Sequence, residues 1–258
     1  MSAIAPILKA LALPAETRVE QRVPKKLLLE HGAPTAADKR KIQEGIEELH
    51  WLASLKPIHC PTPAYQDEIR EYLEIAVVSV TLRQQERGGQ RLLTLIHRAI
   101  PYPLLLIAVC GSELSLSLAH KRFSQGETGK VVLDEGGILQ VNVVEDHPMD
   151  QEFLSAMNTA GQPAKNLFVL YQGWVHRFEA LLASRITSCF VLPATEEQAE
   201  ERRLALANYA RLEQEISQLR TQAHSEKQLN RRVALSLQVK QLELQLGNLR
   251  EQLMVARL

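Results

Sequence analysis

The sequence predicts an α+β protein: a small mixed five-stranded sheet with packed helices that carries a C-terminal coiled-coil or helical-hairpin arm. Three observations carry that expectation. Between Glu74 and Val143 short apolar segments alternate with turn residues, and the hydrophobic period there is two. Two of those segments, Ile75 to Leu82 and Leu104 to Val109, are apolar on both faces, as central strands are. Beyond Pro193 the chain becomes one charged tail with helical periodicity. The boundaries that follow are a globular domain over 1–193, with an N-terminal extended arm, and a helical arm over 194–258.

Pro14 and Pro24 flank the alternating charged stretch Thr17 to Val23, which reads as an extended arm running from Leu13 to Glu30. Thr35 or Asp38 can cap a helix whose Ile42, Ile46, Leu49 and Ala53 share one face and which ends before Pro57. Pro57, Pro61 and Pro63 make a stiff connector to Glu68. Ile75 to Leu82 is the first strand. After the Gly88-Gly89 break, Leu92, Leu93, Leu95, Ile96 and Ala99 fall at helical spacing, and Pro101 ends that crossover helix. Leu104 to Val109 then returns parallel to the first strand. Cys110 to Glu113 turns the chain into Leu114, Leu116 and Leu118, which alternate with Ser115, Ser117 and Ala119 as a half-exposed strand does. A second hairpin is expected from Val131 to Leu133 and Ile138 to Val143 around Asp134-Glu135-Gly136-Gly137. A short helix over Asp150 to Ala160, a broad-faced helix from Leu167 to Ile186, and an edge strand at Cys189 to Leu192 complete the domain.

In the tail, Thr195 and Gln198 form a capping-box pattern, and Glu196, Glu197, Glu200 and Glu201 suit the positive end of a helix. Tyr209, Leu212, Ile216, Leu219 and Ala223 follow one heptad seam. Leu235, Val239, Leu242, Leu246, Leu249 and Leu253 follow another, out of frame with the first. The polar stretch Ala223 to Arg232 between them is either a stutter in a continuous helix or the bend of a hairpin. Ser225 with Gln228 repeats the capping-box pattern and tilts the reading toward the bend, with homodimerisation through the seam as the other choice.

The 258 residues carry 30 basic and 30 acidic side chains, so no global field draws the chain to nucleic acid or an anionic membrane. The longest apolar run, Leu104 to Cys110, is far short of the roughly 20 residues of a membrane span. The expectation is a cytoplasmic protein without membrane contact. Cys60, Cys110 and Cys189 are scattered, and the eight histidines never fall at paired ligand spacing, so neither a metal site nor a cofactor is expected. No nucleophile elbow, phosphate loop or dinucleotide fingerprint occurs. Glu71, Glu74, Asp134 and Glu135 near Lys121 could be imagined as a nuclease cluster, but no strand carries an acid two residues before a lysine. Local basic clusters, with Lys25, Lys26, Lys121, Arg122, Arg231 and Arg232 as candidates, are the sites where nucleic acid would bind.

Four stretches together resemble a known family: LPAETRVEQRVPKKLLLE over Leu13 to Glu30, Trp51, RAIPYPLLLIA over Arg98 to Ala108, and EKQLNRRVAL over Glu226 to Leu235. In that order they resemble the bacterial family of unknown function DUF4391. The resemblance implies a genomic setting, beside helicases and DNA methyltransferases in mobile or phage-defence loci, and no catalytic residue. The expected function is therefore a non-catalytic adaptor subunit of a phage-defence or restriction-modification-type system. It would dock to itself or to such a neighbour through the seam formed by Leu212, Ile216, Leu219, Leu235, Leu242, Leu246, Leu249 and Leu253. The alternative is a nucleic-acid-binding or nuclease-like, degenerate enzyme component.

Overall fold

A computed structural model describes residues 2–83, 89–127 and 129–255. In chain order its helices are α1 (Ala5–Leu11), α2 (Lys25–His31), α3 (Ala36–Gly45), α4 (Gln90–Ala99), α5 (Pro148–Ala156), α6 (Leu167–Thr187), α7 (Glu196–Ser225) and α8 (Leu229–Val255). The strands are β1 (Arg18–Arg22), β2 (Ile46–Leu55), β3 (Tyr65–Gln66), β4 (Glu71–Tyr72), β5 (Ile75–Leu82), β6 (Leu104–Cys110), β7 (Glu113–Ala119), β8 (Lys121–Phe123), β9 (Val131–Leu133) and β10 (Leu139–Val143). The chain divides into two compact units, Met1–Phe178 and Glu179–Leu258, and the division falls inside α6.

The first unit is built on a six-stranded sheet, ordered β1-β2-β5-β6-β7-β10. Only β5 and β6 run parallel, in register from Ala76 opposite Leu104 to Leu82 opposite Cys110, and α4 makes the crossover between them. The alternation of side chains splits this pair into two buried faces. Ala76, Val78, Val80, Leu104, Leu106 and Ala108 share a cluster with Leu28 of α2, Ile42 of α3, and Leu92, Leu93, Leu95 and Ile96 of α4. On the other face Val77, Leu105, Ile107, Leu116 and Leu118 are equally buried. There Tyr171 of α6 donates its hydroxyl to Leu104 O at 2.8 Å and accepts from Ala119 N at 2.9 Å. Gly32, which follows α2, marks a close contact on the first face. A Cβ there would meet Leu95 O at 2.6 Å, so α2 reaches α4 only because residue 32 has no side chain.

The sheet has six strands rather than the expected five, and the differences have local causes. The helix expected through Ala53 stops at Gly45, and Ile46 to Leu55 becomes β2. β2 covers the edge of β5, whose buried backbone groups need a partner. Register shifts between Ile46 and Glu48, and again between Trp51 and Ala53, let Ile46 and Leu49 share a sheet face at a spacing that imitates a helix. The expected N-terminal arm is ordered. Arg18–Arg22 forms the exposed edge strand, bulged where Glu20 adopts a positive φ of 50°, and Pro24 leads into α2.

Val131 to Leu133 does not pair with Ile138 to Val143. β9 joins β8 in a separate ladder, while β10 pairs with β7 from Leu139 opposite Leu118 to Val143 opposite Leu114. Cys189 to Leu192 is irregular, following Ser188 at φ 59°. Gly88, in the expected glycine break, and Leu258, the expected end of the arm, lie outside the described residues. Among the described residues no helix is long and apolar enough to cross a membrane.

In the second unit α7 and α8 pack against each other as a helical hairpin. Thr195 caps α7 by accepting from Gln198 N at 3.3 Å, and the Gln198 side chain accepts in return from Ala194 N at 2.8 Å. The bend is made at Glu226, whose carboxylate accepts from Gln228 N at 2.8 Å, and not by Ser225, which bonds back into α7. Arg220 and Glu243, 2.7 Å apart, pin the antiparallel register.

The depth of the β5 core gives a first test. Val77 has no exposed surface, so Val77→Asp places an unpaired carboxylate where desolvation costs several kcal/mol, against a total stability of about 5–15. Thermal unfolding followed by circular dichroism should show the transition lost or lowered by at least ten degrees or so.

Candidate functional site

The six basic residues singled out from sequence sit on three different elements. Lys25 begins α2, and its ammonium donates to the carbonyls of Gln43, at 3.2 Å, and Ile46, which closes the end of α3. Burial lowers its pKa, with Arg83 and Arg22 adding to the effect. Lys26 is exposed beside Glu30 at 3.6 Å. Lys121, on β8, is buried and donates to the C-terminal carbonyls of α4, those of His97 and of Ile100 at 2.6 Å. Its neighbour Arg122 faces Asp134 and Glu135 at 3.7 and 3.9 Å. Arg231 and Arg232 are exposed on α8.

Lys121 therefore acts as a cation set against the negative end of α4. Burial presses its pKa down to about 7. His97 lies fully buried beside it. Desolvation and the nearby ammonium hold the imidazole neutral. Its Nε2 lies 3.0 Å from Ser117 Oγ, and its Nδ1 has no hydrogen-bond partner among the described residues, so the ring proton belongs on Nε2. A second polar chain runs from the Tyr72 hydroxyl to His120 Nδ1, from His120 Nε2 to Gln172 Oε1 at 2.8 Å, and from Gln172 Nε2 to His176 Nε2 at 2.8 Å. Burial raises the Tyr72 pKa, which keeps the phenol protonated.

The acids considered for nuclease chemistry do not converge. Glu74 is buried and held by Lys56 at 2.8 Å, while Asp134 lies 3.3 Å from Arg70. Glu71 sits on β4 opposite Gln66, and Glu135 is exposed. Among the described residues no three His, Cys, Asp or Glu side chains could hold a metal ion. A cleft of 480 Å³ opens beside β1 and α2, lined by Val19, Leu27, Trp51 and Pro101 together with His31 and His59. The Trp51 indole is fixed there by a 3.0 Å bond to Ser54 Oγ and an edge contact with Tyr102. Three of the four stretches that carry the family resemblance contribute to its wall. Of the two carboxylates that line the cleft, Glu74 is held by Lys56 and Glu16 is exposed, and the exposed Arg18 and Arg22 line it too, so the cleft offers apolar contact beside open charges.

The hairpin presents a second surface. Leu212, Ile216, Val239 and Leu253 of the seam are buried between α7 and α8, and Leu219, Leu235, Leu242, Leu246 and Leu249 are half-buried. The sequence seam thus serves the hairpin itself. What it leaves outside is a separate apolar stripe on α8: Leu229, Val233, Leu237 and Leu244, 63, 51, 62 and 72 % exposed. At ~100° per residue these four fall within about 80° of one another, and roughly 150° away from the inner seam. Reading only the longest leucine repeat misses this stripe, although its spacing is present in the sequence.

Fold and surface together define an α+β domain with a mixed sheet, attached to a two-helix arm. The chain belongs to the family described as Domain of unknown function (DUF4391), whose profile matches residues 11–246. Comparison with curated proteins and with solved structures finds no match.

The Lys121 site predicts a specific pH dependence. The lysine holds its proton up to about 10.5 when unfolded and only to about 7 when folded, so the unfolded chain binds more protons between those values. Stability should therefore gain from this group as pH rises from 7 toward 10. Denaturant unfolding of Lys121→Met across that range should lack the gain that the parent chain shows.

Proposed function

We propose that this chain is a non-catalytic interaction subunit that docks through the outer face of its C-terminal hairpin. The setting is the one the family resemblance implies, a bacterial phage-defence or restriction-modification-type system with helicase- or methyltransferase-type neighbours. The observation that carries the reading is the stripe Leu229, Val233, Leu237 and Leu244. Covering a leucine is worth roughly 1.5–3 kcal/mol, and a stripe that remains wet after the hairpin has closed is suited to a partner. The ion pairs that hold Glu74 and Asp134 support the non-catalytic part, since those carboxylates already have cations beside them.

The test is the double substitution Leu237→Glu and Leu244→Glu in the full chain, purified by affinity from its bacterial host and weighed by native mass spectrometry. The parent chain should be recovered in a stoichiometric protein assembly. The double variant should be recovered alone with its thermal midpoint nearly unchanged, because both positions are exposed. An assembly that survives the substitutions contradicts the docking face. Magnesium- or manganese-dependent cleavage of DNA or RNA that is lost in Glu74→Ala or Asp134→Ala would replace the reading with the nuclease-like alternative.

A further inference from the structure

We propose that the partner of this face is a second copy of the chain, with α8 laid antiparallel on the other α8 in a register centred between Gln245 and Leu246. The inference rests on the docking role proposed above and names its occupant. Val233, Leu237, Lys240, Leu244, Gly247, Glu251 and Met254 succeed one another at alternating steps of four and three residues, which is an unbroken heptad seam. Its members through Glu251 are exposed, and Met254 is half-buried. It lies on the side of α8 that α7 does not cover. Its composition, two charges and a glycine among apolar residues, is poor for covering a core and informative about a register.

In an antiparallel pair of identical helices each position faces one fixed position of the copy. The register centred between Gln245 and Leu246 sets Leu237 against Met254, Lys240 against Glu251, and Leu244 against Gly247, each occurring twice by the two-fold symmetry. Apolar then meets apolar, cation meets anion, and the largest exposed leucine meets the residue with no side chain. Sliding one heptad toward the N-terminus sets Lys240 against Leu244 and Glu251 against Val233. A further heptad sets Lys240 against Leu237. Both slides press a charge on an apolar side chain, so the charged pair selects the register.

Gly247 supplies an independent observation. It sits in mid-helix, where glycine is a poor helix former, and a Cβ there would have open space around it. Nothing within the described residues calls for a glycine at that position, in contrast with Gly32. The close approach of another helix does call for one.

Sedimentation equilibrium of the full chain should give a concentration-dependent dimer. K240E and E251K should each weaken dimerisation roughly tenfold or more, since each sets like charges opposite one another twice. The double variant K240E/E251K should recover the parent affinity, and an equimolar mixture of the two single variants should form the heterodimer in preference to either homodimer. Both positions tested are exposed, so the folded monomer persists and is checked by circular dichroism. A dimer indifferent to these charges overturns the register. A monomer at every concentration, in a chain whose stripe still retains a different protein, overturns self-pairing and leaves the docking role standing. A monomer whose stripe retains no protein removes both.

Discussion

The parallel contact between β5 and β6 is the constraint on which the first unit depends. Both strands are apolar on both faces, so the pair is stable only if neither face meets water. One face is covered by α2, α3 and α4, which share its cluster. On the other, the buried Tyr171 hydroxyl bridges the β6 carbonyl of Leu104 and the β7 amide of Ala119, so a polar group enters the core with its bonding satisfied. The edges follow from the same need. β2 and β7 flank the central pair, and the exposed, bulged β1 blunts one rim against further pairing.

The buried polar groups of this unit read more readily as fasteners than as reagents. Lys121 ties β8 to the carbonyl end of α4, and Lys25 does the same for α3. In each case a lysine that looks like a surface cation in the sequence meets unpaired helix carbonyls, the groups that every helix end must satisfy. Arg91 holds Asp38 through two 2.8 Å bonds, and that pairing, with the Thr35 hydroxyl, keeps the Asp38 carboxyl down at about 2. The second unit follows a different logic. α8 has two apolar faces, and an antiparallel partner within the chain covers only one of them.

Much of the fold was legible because the signals were local. The strands β5 and β6, the crossover α4, the long α6 and the cap at Thr195 follow from periodicity, proline and capping chemistry. What was not legible depends on register. Ile46 and Leu49 are three apart, as on a helix, and only the bulges of β2 put them on one sheet face. Val131 to Leu133 and Ile138 to Val143 look like the arms of one hairpin, yet β7 offers β10 a longer ladder than β9 does. Among the candidate site residues, the inner seam was readable as a heptad, but its use inside the hairpin follows from the bend at Glu226. The outer stripe was present in the spacing of Val233, Leu237 and Leu244 and was masked by the longer run of leucines beside it.

Distances between spin labels on two copies test the central claim, that the outer face of α8 meets itself in one register. Single nitroxides are placed at Asn248 or at Leu229, in a full chain carrying C189S so that the half-exposed native thiol is not labelled. Helix axes that pack lie about 8–10 Å apart, and each residue rises about 1.5 Å, so the two Asn248 labels should lie within about 25 Å of each other. The two Leu229 labels, far from the two-fold axis, should lie roughly 50 Å apart. The absence of dipolar coupling at Asn248, or a short distance at Leu229, would contradict the account.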